Sequence, residues 1–292
     1  MTVTLKNGAL TARIESKGAE LLSLVKNETE YMWQKDPAFW GKTSPVLFPI
    51  VGNLRNDTVT FDGKPYTMAK HGLCRAAEFT IESASDTDAS FSYSYNEETL
   101  VHYPYRFKLI LSYHLSENSI SITYTVENLD DKTIDYCFGA HPGFNVPLEK
   151  GGAFEEYCIE FNEQEPDGCP VFDFENNQIN MENRVDFMKG SKKLMLHYDY
   201  FDNDALVFDR VHSDSVKLYS TKTGSGVEVS FGDFDFVAFW TPIKMNAPFL
   251  CIEPWCGMAV CSDEGGTFEE KRGVKHLLCG EKQSYQLTIH PF

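Results

Sequence analysis

FKLILSYHL, residues 107–115, places a large apolar residue at almost every second position. This period of two is typical of a β-strand that turns one face to a core and the other to water. A polar turn, Ser116-Glu117-Asn118, follows, and residues 120–126 repeat the alternation. The two segments therefore predict an antiparallel pair of strands with one solvent-exposed face.

Further strand patterns lie on both sides of this pair. Asn7-Gly8 and Asp62-Gly63 are turn signals between alternating segments, and they predict two β-hairpins. Residues 236–242 and 249–255 are almost continuously apolar. Such runs indicate strands that are buried on both faces.

Helix signals are few and short. They occur only near residues 36–40, 97–102 and 268–273. No internal repeat or low-complexity linker divides the chain. We therefore predict an all-β fold, a large antiparallel β-sandwich or barrel with few short helices, in a single domain over residues 1–292.

Composition and charge argue against several classes of partner. The 292 residues carry a formal net charge of −17, so neither nucleic-acid phosphates nor an anionic membrane is an expected partner. The start of the chain lacks the regions of a secretion signal, and no run of about 18 apolar residues is present. The eight cysteines show no paired spacing, which predicts reduced thiols. These features predict a soluble cytoplasmic protein.

The segment FGAHPGF, residues 138–144, contains the first candidate for a functional residue. Pro142 restricts His141 to an extended conformation, while Gly139 and Gly143 allow a close approach of the backbone to a ligand. The pattern therefore predicts a histidine held rigidly in a pocket wall. The alternative is a buried histidine whose ring only bonds a backbone carbonyl.

Glu253 is the second candidate because it ends the apolar run 249–252. A carboxylate at this position must leave the apolar environment or find a partner within it, and either outcome changes its proton affinity. The alternatives are a carboxylate that reaches solvent and one that pairs with a structural arginine. Trp255 offers a flat apolar face on which a sugar ring or an aromatic group could lie, and the alternative is a tryptophan that belongs to the core or its rim. A carboxylate and histidines in an aromatic pocket suit proton transfer on a small polar substrate.

Other catalytic chemistries lack their motifs. His71, His141 and Glu253 could supply three ligands to a catalytic zinc, but there is no HExxH and no short paired ligand spacing. Gly-x-Ser-x-Gly and the glycine-rich phosphate loops are also missing. The sequence therefore predicts neither a metal nor a nucleotide cofactor.

Four sequence blocks carry a resemblance to a known family. The blocks are Leu47-Phe48-Pro49-Ile50-Val51-Gly52, Lys70-His71-Gly72-Leu73-Cys74-Arg75, Ala140-His141-Pro142-Gly143-Phe144 and Cys251-Ile252-Glu253-Pro254-Trp255. They resemble, in this order, the signature blocks of the aldose 1-epimerase (galactose mutarotase) family. Gly18-Ala19-Glu20-Leu21 and Glu30-Tyr31-Met32-Trp33 are similar to its LacX-like bacterial branch. The resemblance covers nearly the whole chain and implies a galactose mutarotase-like β-sandwich.

The resemblance also implies a mechanism without a metal or cofactor. Glu253 is expected to be the general base that takes the proton from the anomeric hydroxyl of a cyclic sugar. His141 is expected to be the acid that protonates the ring oxygen, with His71 hydrogen-bonded nearby. The ring opens to the aldehyde, the C1 end rotates, and the ring closes to the other anomer.

Arg55, Arg75 and Asp209 are implied by the resemblance as residues that bind sugar oxygens, with Asp209 matching its block only loosely. Arg75 is also similar to a residue of a related branch that acts on hexose 6-phosphates. Pro254-Trp255 stands where galactose mutarotases have a polar residue, so the identity of the sugar stays open.

The expected partner is a small-molecule sugar, and the expected assembly is a monomer or a homodimer. Two other functions remain open at this stage. A sugar-binding or sugar-sensing protein could use the same scaffold without turnover. A lyase or glycosidase would require a second catalytic carboxylate or a tyrosine, and the sequence does not place one.

Overall fold

A computed structural model describes residues 1–292 and contains 25 strands, one α-helix and five 3₁₀ turns. The strands are β1 (Thr2–Asn7), β2 (Leu10–Glu15), β3 (Glu20–Lys26), β4 (Thr29–Glu30), β5 (Val46–Leu47), β6 (Thr58–Phe61), β7 (Lys64–Thr67), β8 (Thr80–Ala84), β9 (Asp88–Ser94), β10 (Phe107–Leu115), β11 (Ile120–Asn128), β12 (Ile134–Tyr136), β13 (Phe138–Ala140), β14 (Gly143–Asn145), β15 (Tyr157–Phe161), β16 (Cys169–Asp173), β17 (Gln178–Val185), β18 (Lys193–Met195), β19 (Leu206–Phe208), β20 (Ser215–Ser220), β21 (Gly226–Ser230), β22 (Phe236–Trp240), β23 (Phe249–Cys256), β24 (Lys275–Leu277) and β25 (Lys282–Pro291). The helix is α1 (Glu97–His102), and the 3₁₀ turns are Arg55–Asp57, Cys74–Ala76, Phe154–Glu156, Tyr198–Phe201 and Phe268–Glu270.

Two large sheets dominate the structure. The first has nine strands in the order β18-β15-β20-β21-β25-β11-β10-β9-β8, and the second has the path β19-β22-β23-β13-β5 with β14 added beside β23. The first four strands form a separate sheet, and β6–β7, β12–β24 and β16–β17 form two-stranded sheets. Neighbouring strands are antiparallel in each of these sheets. The prediction of a mainly antiparallel β-sandwich is confirmed.

The predicted strand pair at the centre of the large sheet is present as β10 and β11. Phe107 pairs with Asn128 and Leu115 with Ile120, without a bulge between them. Along both strands, buried residues alternate with more exposed ones. The hairpins at Asn7-Gly8 and Asp62-Gly63 also form, as β1–β2 and β6–β7.

Aromatic side chains join the two large sheets. The ring of Phe138 on β13 lies 5.0 Å from Tyr124 on β11 and 5.1 Å from Tyr285 on β25. Phe239 on β22 contacts Phe161 on β15 in the same way, at 5.7 Å. These contacts belong to a core cluster of 74 buried residues. Burial of this much apolar surface is the main favourable contribution to folding.

Strands β22 and β23 are buried on both faces, as their apolar sequences predicted. Every residue of β23 is buried, and only Trp240 of β22 is partly exposed. One face packs on the nine-stranded sheet, and the other lines a cavity. The alternation of side chains along a strand therefore sends neighbouring residues of β23 to two different environments.

One of the three helix predictions is confirmed. Residues 97–102 form α1, and Asn96 caps it by accepting a hydrogen bond from the Thr99 N–H at 2.9 Å. The segment 36–40 forms only a turn closed on the Asp36 carbonyl, and 268–270 forms a 3₁₀ turn. In both segments the chain closes a single turn and does not continue as a helix. With a longest helix of six residues, no helix of the structure could cross a membrane.

We expect Leu109→Ala to lower the free energy of unfolding by about 2–5 kcal/mol. Leu109 is fully buried in the middle of β10, where its removal leaves a cavity between the sheets. The same substitution at Leu278, which is 57% exposed, is the control and should change stability by less than about 0.5 kcal/mol. Urea unfolding of the two variants measures both values. Equal effects would contradict the assignment of this core.

Candidate active site

The cavity on the outer face of β22 and β23 has a volume of about 250 Å³. This is close to the lower limit of small-molecule pockets, which start at roughly 300 Å³. Its lining combines aromatic rings with charged side chains. The residues that line it are Trp40, Lys42, Pro45, Gly52, Asn53, Lys70, His71, Arg75, His141, Pro170, Phe172, Ile179, Asp204, Ala205, Val207, Trp240, Glu253, Trp255 and Ala259.

The three residues predicted to act in proton transfer meet in this cavity. His141 Nε2 lies 3.2 Å from Glu253 Oε2. The ring centre of His71 lies 5.6 Å from that of His141, and the two rings are nearly perpendicular. All three side chains are buried. Residues that are up to 182 positions apart in the sequence thus form one cluster.

Glu253 occupies the middle of β23, not the strand end expected from the sequence. The strand continues to Cys256, and Glu253 pairs with Ala238 on β22. Because side chains alternate along a strand, Glu253 and Trp255 both face the cavity. Of the two outcomes expected for this carboxylate, the structure shows the second, a partner within the buried environment.

His141 follows β13 directly and is held by aromatic rings. Its imidazole stacks on Trp40, with ring centres 4.8 Å apart, and meets the edge of Trp240 at 5.7 Å. Gly139 packs closely against the protein itself, because a Cβ there would lie 2.7 Å from the Trp255 ring. The ring of His141 therefore has little freedom to rotate.

His71 is fixed by its backbone as well as by its ring. The residue has a φ of +68°, which is a strained conformation for a residue with a side chain. The Gly52 N–H donates to His71 Nδ1 at 3.1 Å, and the His71 N–H donates to the Gly52 carbonyl at 2.7 Å. Since Nδ1 accepts, the neutral ring carries its proton on Nε2. His71 can therefore act as a hydrogen-bond donor in the cavity.

Burial determines the proton affinities of the central pair. It raises the pKa of the Glu253 carboxyl well above its usual value, although nearby Lys70 opposes this shift. It lowers the pKa of His141 to about 3. A net charge on the buried pair is therefore unfavourable. The two net-neutral forms, acid plus imidazole and carboxylate plus imidazolium, differ only in the position of one proton.

Trp255 and Arg75 also line the cavity, as the sequence analysis proposed. Trp255 is 5% exposed, and its buried indole N–H makes no hydrogen bond of good geometry within the protein, although it lies close enough to the Glu253 carboxyl to oppose the rise in its pKa. A buried donor of this kind costs stability unless a ligand or water accepts from it. The Trp255 side chain can thus supply both an apolar face and a hydrogen bond to a ligand.

Arg55 and Asp209, also predicted to bind sugar, do not line the cavity. Arg55 donates to Gln178 Oε1 at 2.7 Å and to the Cys261 carbonyl at 3.1 Å. Asp209 forms a bidentate ion pair with Arg184, at 2.5 and 3.2 Å. The guanidinium and the carboxylate are therefore satisfied within the protein. Both contacts hold β17, which forms part of the hairpin beside the cavity.

Several residues of the cavity were not predicted from the sequence, above all Asp204 and Lys70. Asp204 has a φ of +69° in the turn before β19 and lies close enough to Glu253 to favour its protonated form. A polar turn directly before an apolar strand was the available signal for Asp204. Lys70 directly precedes His71 in the sequence. Because lysine is usually a surface residue, its residue type did not indicate a cavity.

One group of side chains has donor atoms close enough together to hold a metal. It consists of His141, Cys251 and Glu253, whose donor atoms all lie within 4.8 Å of one another. This set differs from the His71, His141 and Glu253 set considered above. Zinc requires the deprotonated forms of the thiol and the carboxyl. Burial raises the pKa of both groups. The donor set therefore fits a metal poorly and fits proton transfer well.

We expect Glu253→Gln to change how stability depends on pH. Burial raises the pKa of Glu253 in the folded protein, whereas a free glutamate titrates near 4.5. Between these pKa values only the folded state holds the proton, so the wild-type free energy of unfolding falls as pH rises, by up to about 1.4 kcal/mol per pH unit. The variant lacks this slope and should gain stability relative to wild type as pH rises above 4.5.

Urea unfolding between about pH 6.5 and about pH 8 measures this difference. The contribution of His141 to this pH dependence has the opposite sign, because its pKa falls from 6.5 to about 3 on folding. The free energy of unfolding therefore rises with pH through this residue only between these two values. Above pH 6.5 the slope from Glu253 is unopposed. Glu117→Gln, which removes an exposed carboxylate, is the control for the loss of one charge. Parallel pH profiles for wild type and Glu253→Gln would contradict the prediction.

Comparisons with known proteins agree with this fold. Residues 1–266 match the family profile described as aldose 1-epimerase. The plasmid-encoded protein LacX of Lactococcus lactis subsp. lactis is 38% identical over 298 residues, which cover 99% of each chain. A galactose mutarotase related enzyme from Lactobacillus acidophilus is 31% identical and has a TM-score of 0.93, with 100% of this chain and 97% of that chain covered. A galactose mutarotase-like protein from Lactobacillus casei is 28% identical and has a TM-score of 0.94, with both chains fully covered. The chain belongs to the aldose 1-epimerase family, which is a family of isomerases.

Proposed function

We propose that this protein is an aldose 1-epimerase that interconverts the α and β anomers of a hexose or related sugar. One observation carries the proposal, the 3.2 Å separation of His141 Nε2 and Glu253 Oε2 in a sugar-sized cavity. The anomeric oxygen and the ring oxygen of a sugar are bonded to the same carbon. A base and an acid that act on these two oxygens must therefore lie side by side.

The proton movements follow from the two net-neutral forms of the pair. In the carboxylate and imidazolium form, Glu253 takes the proton from the anomeric hydroxyl and His141 gives one to the ring oxygen. The bond between C1 and the ring oxygen breaks, and the open-chain aldehyde forms. The pair is then in its acid and imidazole form. Reversal of both transfers after rotation of C1 gives the other anomer and restores the pair.

The other cavity residues have supporting roles in the proposal. His71 donates from Nε2 to the ring oxygen, in the tautomer that the Gly52 N–H selects. Asp204 accepts hydrogen bonds from sugar hydroxyls, and Trp255 packs against the ring. The reaction moves protons and breaks and remakes one C–O bond, so it balances without an electron acceptor. We therefore propose a cofactor-independent isomerase.

Exchange of anomers measured by NMR tests the proposal. The protein should accelerate the exchange of at least one of a panel of free and phosphorylated aldohexoses above the rate in buffer. Spontaneous exchange provides the baseline for each sugar. A panel in which some sugars raise the melting temperature but none exchanges faster would indicate a sugar-binding protein, and would overturn the proposal.

A further inference from the structure

Glu20 is a buried carboxylate that the proposed mechanism does not use. It lies at the start of β3, in the separate sheet formed by the first four strands, and is 2% exposed. Its side chain does not line the cavity. Burial of a carboxylate costs free energy unless hydrogen bonds or an opposite charge compensate it. The groups that bind Glu20 therefore show what this carboxylate holds in place.

Glu20 binds a segment that has no regular structure of its own. Its Oε1 accepts the N–H groups of two consecutive residues, Thr43 at 2.6 Å and Ser44 at 3.0 Å. Its Oε2 lies 3.2 Å from Lys35 Nζ. Segment 33–45 contains no strand and no helix. Hydrogen bonds to an ionised acceptor are stronger than those between neutral groups. The carboxylate thus ties the beginning and the end of this segment to β3.

Segment 33–45 forms the wall of the cavity beside His141. Trp40 and Lys42 line the cavity, and the Trp40 ring stacks on the His141 imidazole with ring centres 4.8 Å apart. The Trp40 carbonyl accepts the indole N–H of Trp33 at 2.9 Å. The position of the Trp40 ring therefore depends on how the backbone of the segment is anchored.

A second connection runs from Glu20 to His141 through the backbone. The Gly143 N–H donates to the Thr43 carbonyl at 2.7 Å. Because Pro142 has no N–H, Gly143 is the first backbone donor after His141. Thr43 thus donates its N–H to Glu20 and accepts at its carbonyl from Gly143. Two hydrogen bonds join the carboxylate to the chain beside the imidazole.

On its other side, the chain beside His141 is tied to the strand of the base. The Ile252 N–H donates to the Pro142 carbonyl at 3.0 Å, and Ile252 directly precedes Glu253 on β23. A shift of Thr43 would therefore move His141 relative to Glu253. Proton transfer depends steeply on such positions, since a displacement of about 1 Å can cost about 10²-fold in rate.

We infer that Glu20 is a positioning residue for His141, and that it acts through segment 33–45. Glu20 touches neither the sugar nor the reacting atoms. Its role is to accept two backbone N–H groups and so to fix the rings and peptides that surround the imidazole. The catalytic consequence rests on the proposed function, whereas the orientation of the imidazole can be measured without turnover.

Three substitutions separate the contributions of this carboxylate. Glu20→Ala removes the acceptor and should lower kcat for anomer exchange by about ten- to a hundredfold. Glu20→Gln keeps an oxygen that can accept both N–H groups, so it should restore kcat to within about threefold of the wild type. Lys35→Gln removes only the ion pair. Because the Lys35 side chain is 29% exposed, solvent weakens this pair, and kcat should stay nearly unchanged.

Glu165→Ala is the matched control. Glu165 is also 2% exposed and accepts the N–H groups of two consecutive residues, His212 at 2.9 Å and Ser213 at 2.8 Å, outside the cavity. This variant should lose stability as Glu20→Ala does, but its kcat per folded molecule should equal that of the wild type. Thermal unfolding gives the folded fraction of each variant.

NMR of the imidazole nitrogens measures the positioning directly. The ring signals of His141, assigned by their loss in His141→Gln, should shift in Glu20→Ala and keep their wild-type positions in Glu165→Ala. A double variant links the effect on activity to the same residue. In the His141→Gln background, Glu20→Ala should lower kcat by less than about twofold, because the group through which it acts is already lost.

The outcomes separate this inference from the proposed function. Unchanged kcat in Glu20→Ala, or unchanged His141 signals, overturns the inference and leaves the epimerase in place. An equal loss of kcat in Glu165→Ala, or full additivity with His141→Gln, also overturns it. A loss in Lys35→Gln as large as in Glu20→Ala overturns the assignment to the two N–H groups. If the wild type accelerates no sugar, the proposed function fails, and the NMR signals still decide whether Glu20 positions the imidazole.

Discussion

Glu253→Gln is expected to lower kcat for anomer exchange by about 10²–10⁴. Glutamine has nearly the same shape as glutamate but cannot accept the proton of the anomeric hydroxyl. The variant should remain folded. The carboxyl that it replaces is buried, and because burial raises its pKa, ionisation of this group destabilises the folded state. Anomer exchange by NMR, with the spontaneous rate subtracted, measures kcat at saturating sugar.

Glu165→Gln is the matched control for this prediction. Glu165 is also buried, at 2% exposure, but its carboxylate accepts the backbone N–H groups of His212 and Ser213 outside the cavity. Loss of its charge should alter stability and leave anomer exchange almost unchanged. A Glu253→Gln variant that keeps wild-type kcat would show that the base is elsewhere.

His141→Gln is expected to reduce kcat by a similar factor, about 10²–10⁴. The variant loses the group that protonates the ring oxygen, while Trp40 and Trp240 still frame the position. In the proposed mechanism Glu253 and His141 transfer protons in the same step, so the effects of losing each residue should not add. The double variant should be nearly as active as the slower single variant.

The half-buried residue His102 provides the control for histidine loss, since its ring bonds the Thr67 carbonyl outside the cavity. His102→Gln should retain the activity of the wild type. Fully additive effects of Glu253→Gln and His141→Gln would show that the two residues act in separate steps. The pairing at 3.2 Å would then have no part in the chemistry.

The fold could be predicted from the sequence because its signals are local. Alternation of apolar residues identified β10 and β11, and the Asn7-Gly8 turn identified the first hairpin. Unbroken apolar runs identified β22 and β23 as strands buried on both faces. Predictions of short helices were less successful. A turn closed by one or two hydrogen bonds is too short to show a periodic pattern of apolar residues.

The site could be predicted only in part. Pro142 restricts His141 through the backbone alone, so its extended conformation was predictable from one adjacent residue. Arg55 shows the limit of such reasoning. Its partners, Gln178 and Cys261, lie 123 and 206 residues further along the chain, and they turn the guanidinium away from the cavity. No local pattern encodes that choice.

The sequence by itself determined the class of fold, the family and the candidacy of His141, Glu253 and His71. These depend on local spacing, residue type and short motifs. The tertiary structure alone decided that His141 and Glu253 lie 3.2 Å apart, and that Arg75 lines the cavity while Arg55 does not. The physical reason is that strand register and distant hydrogen-bond partners set the direction of a side chain, and both arise only when the sheets pack together.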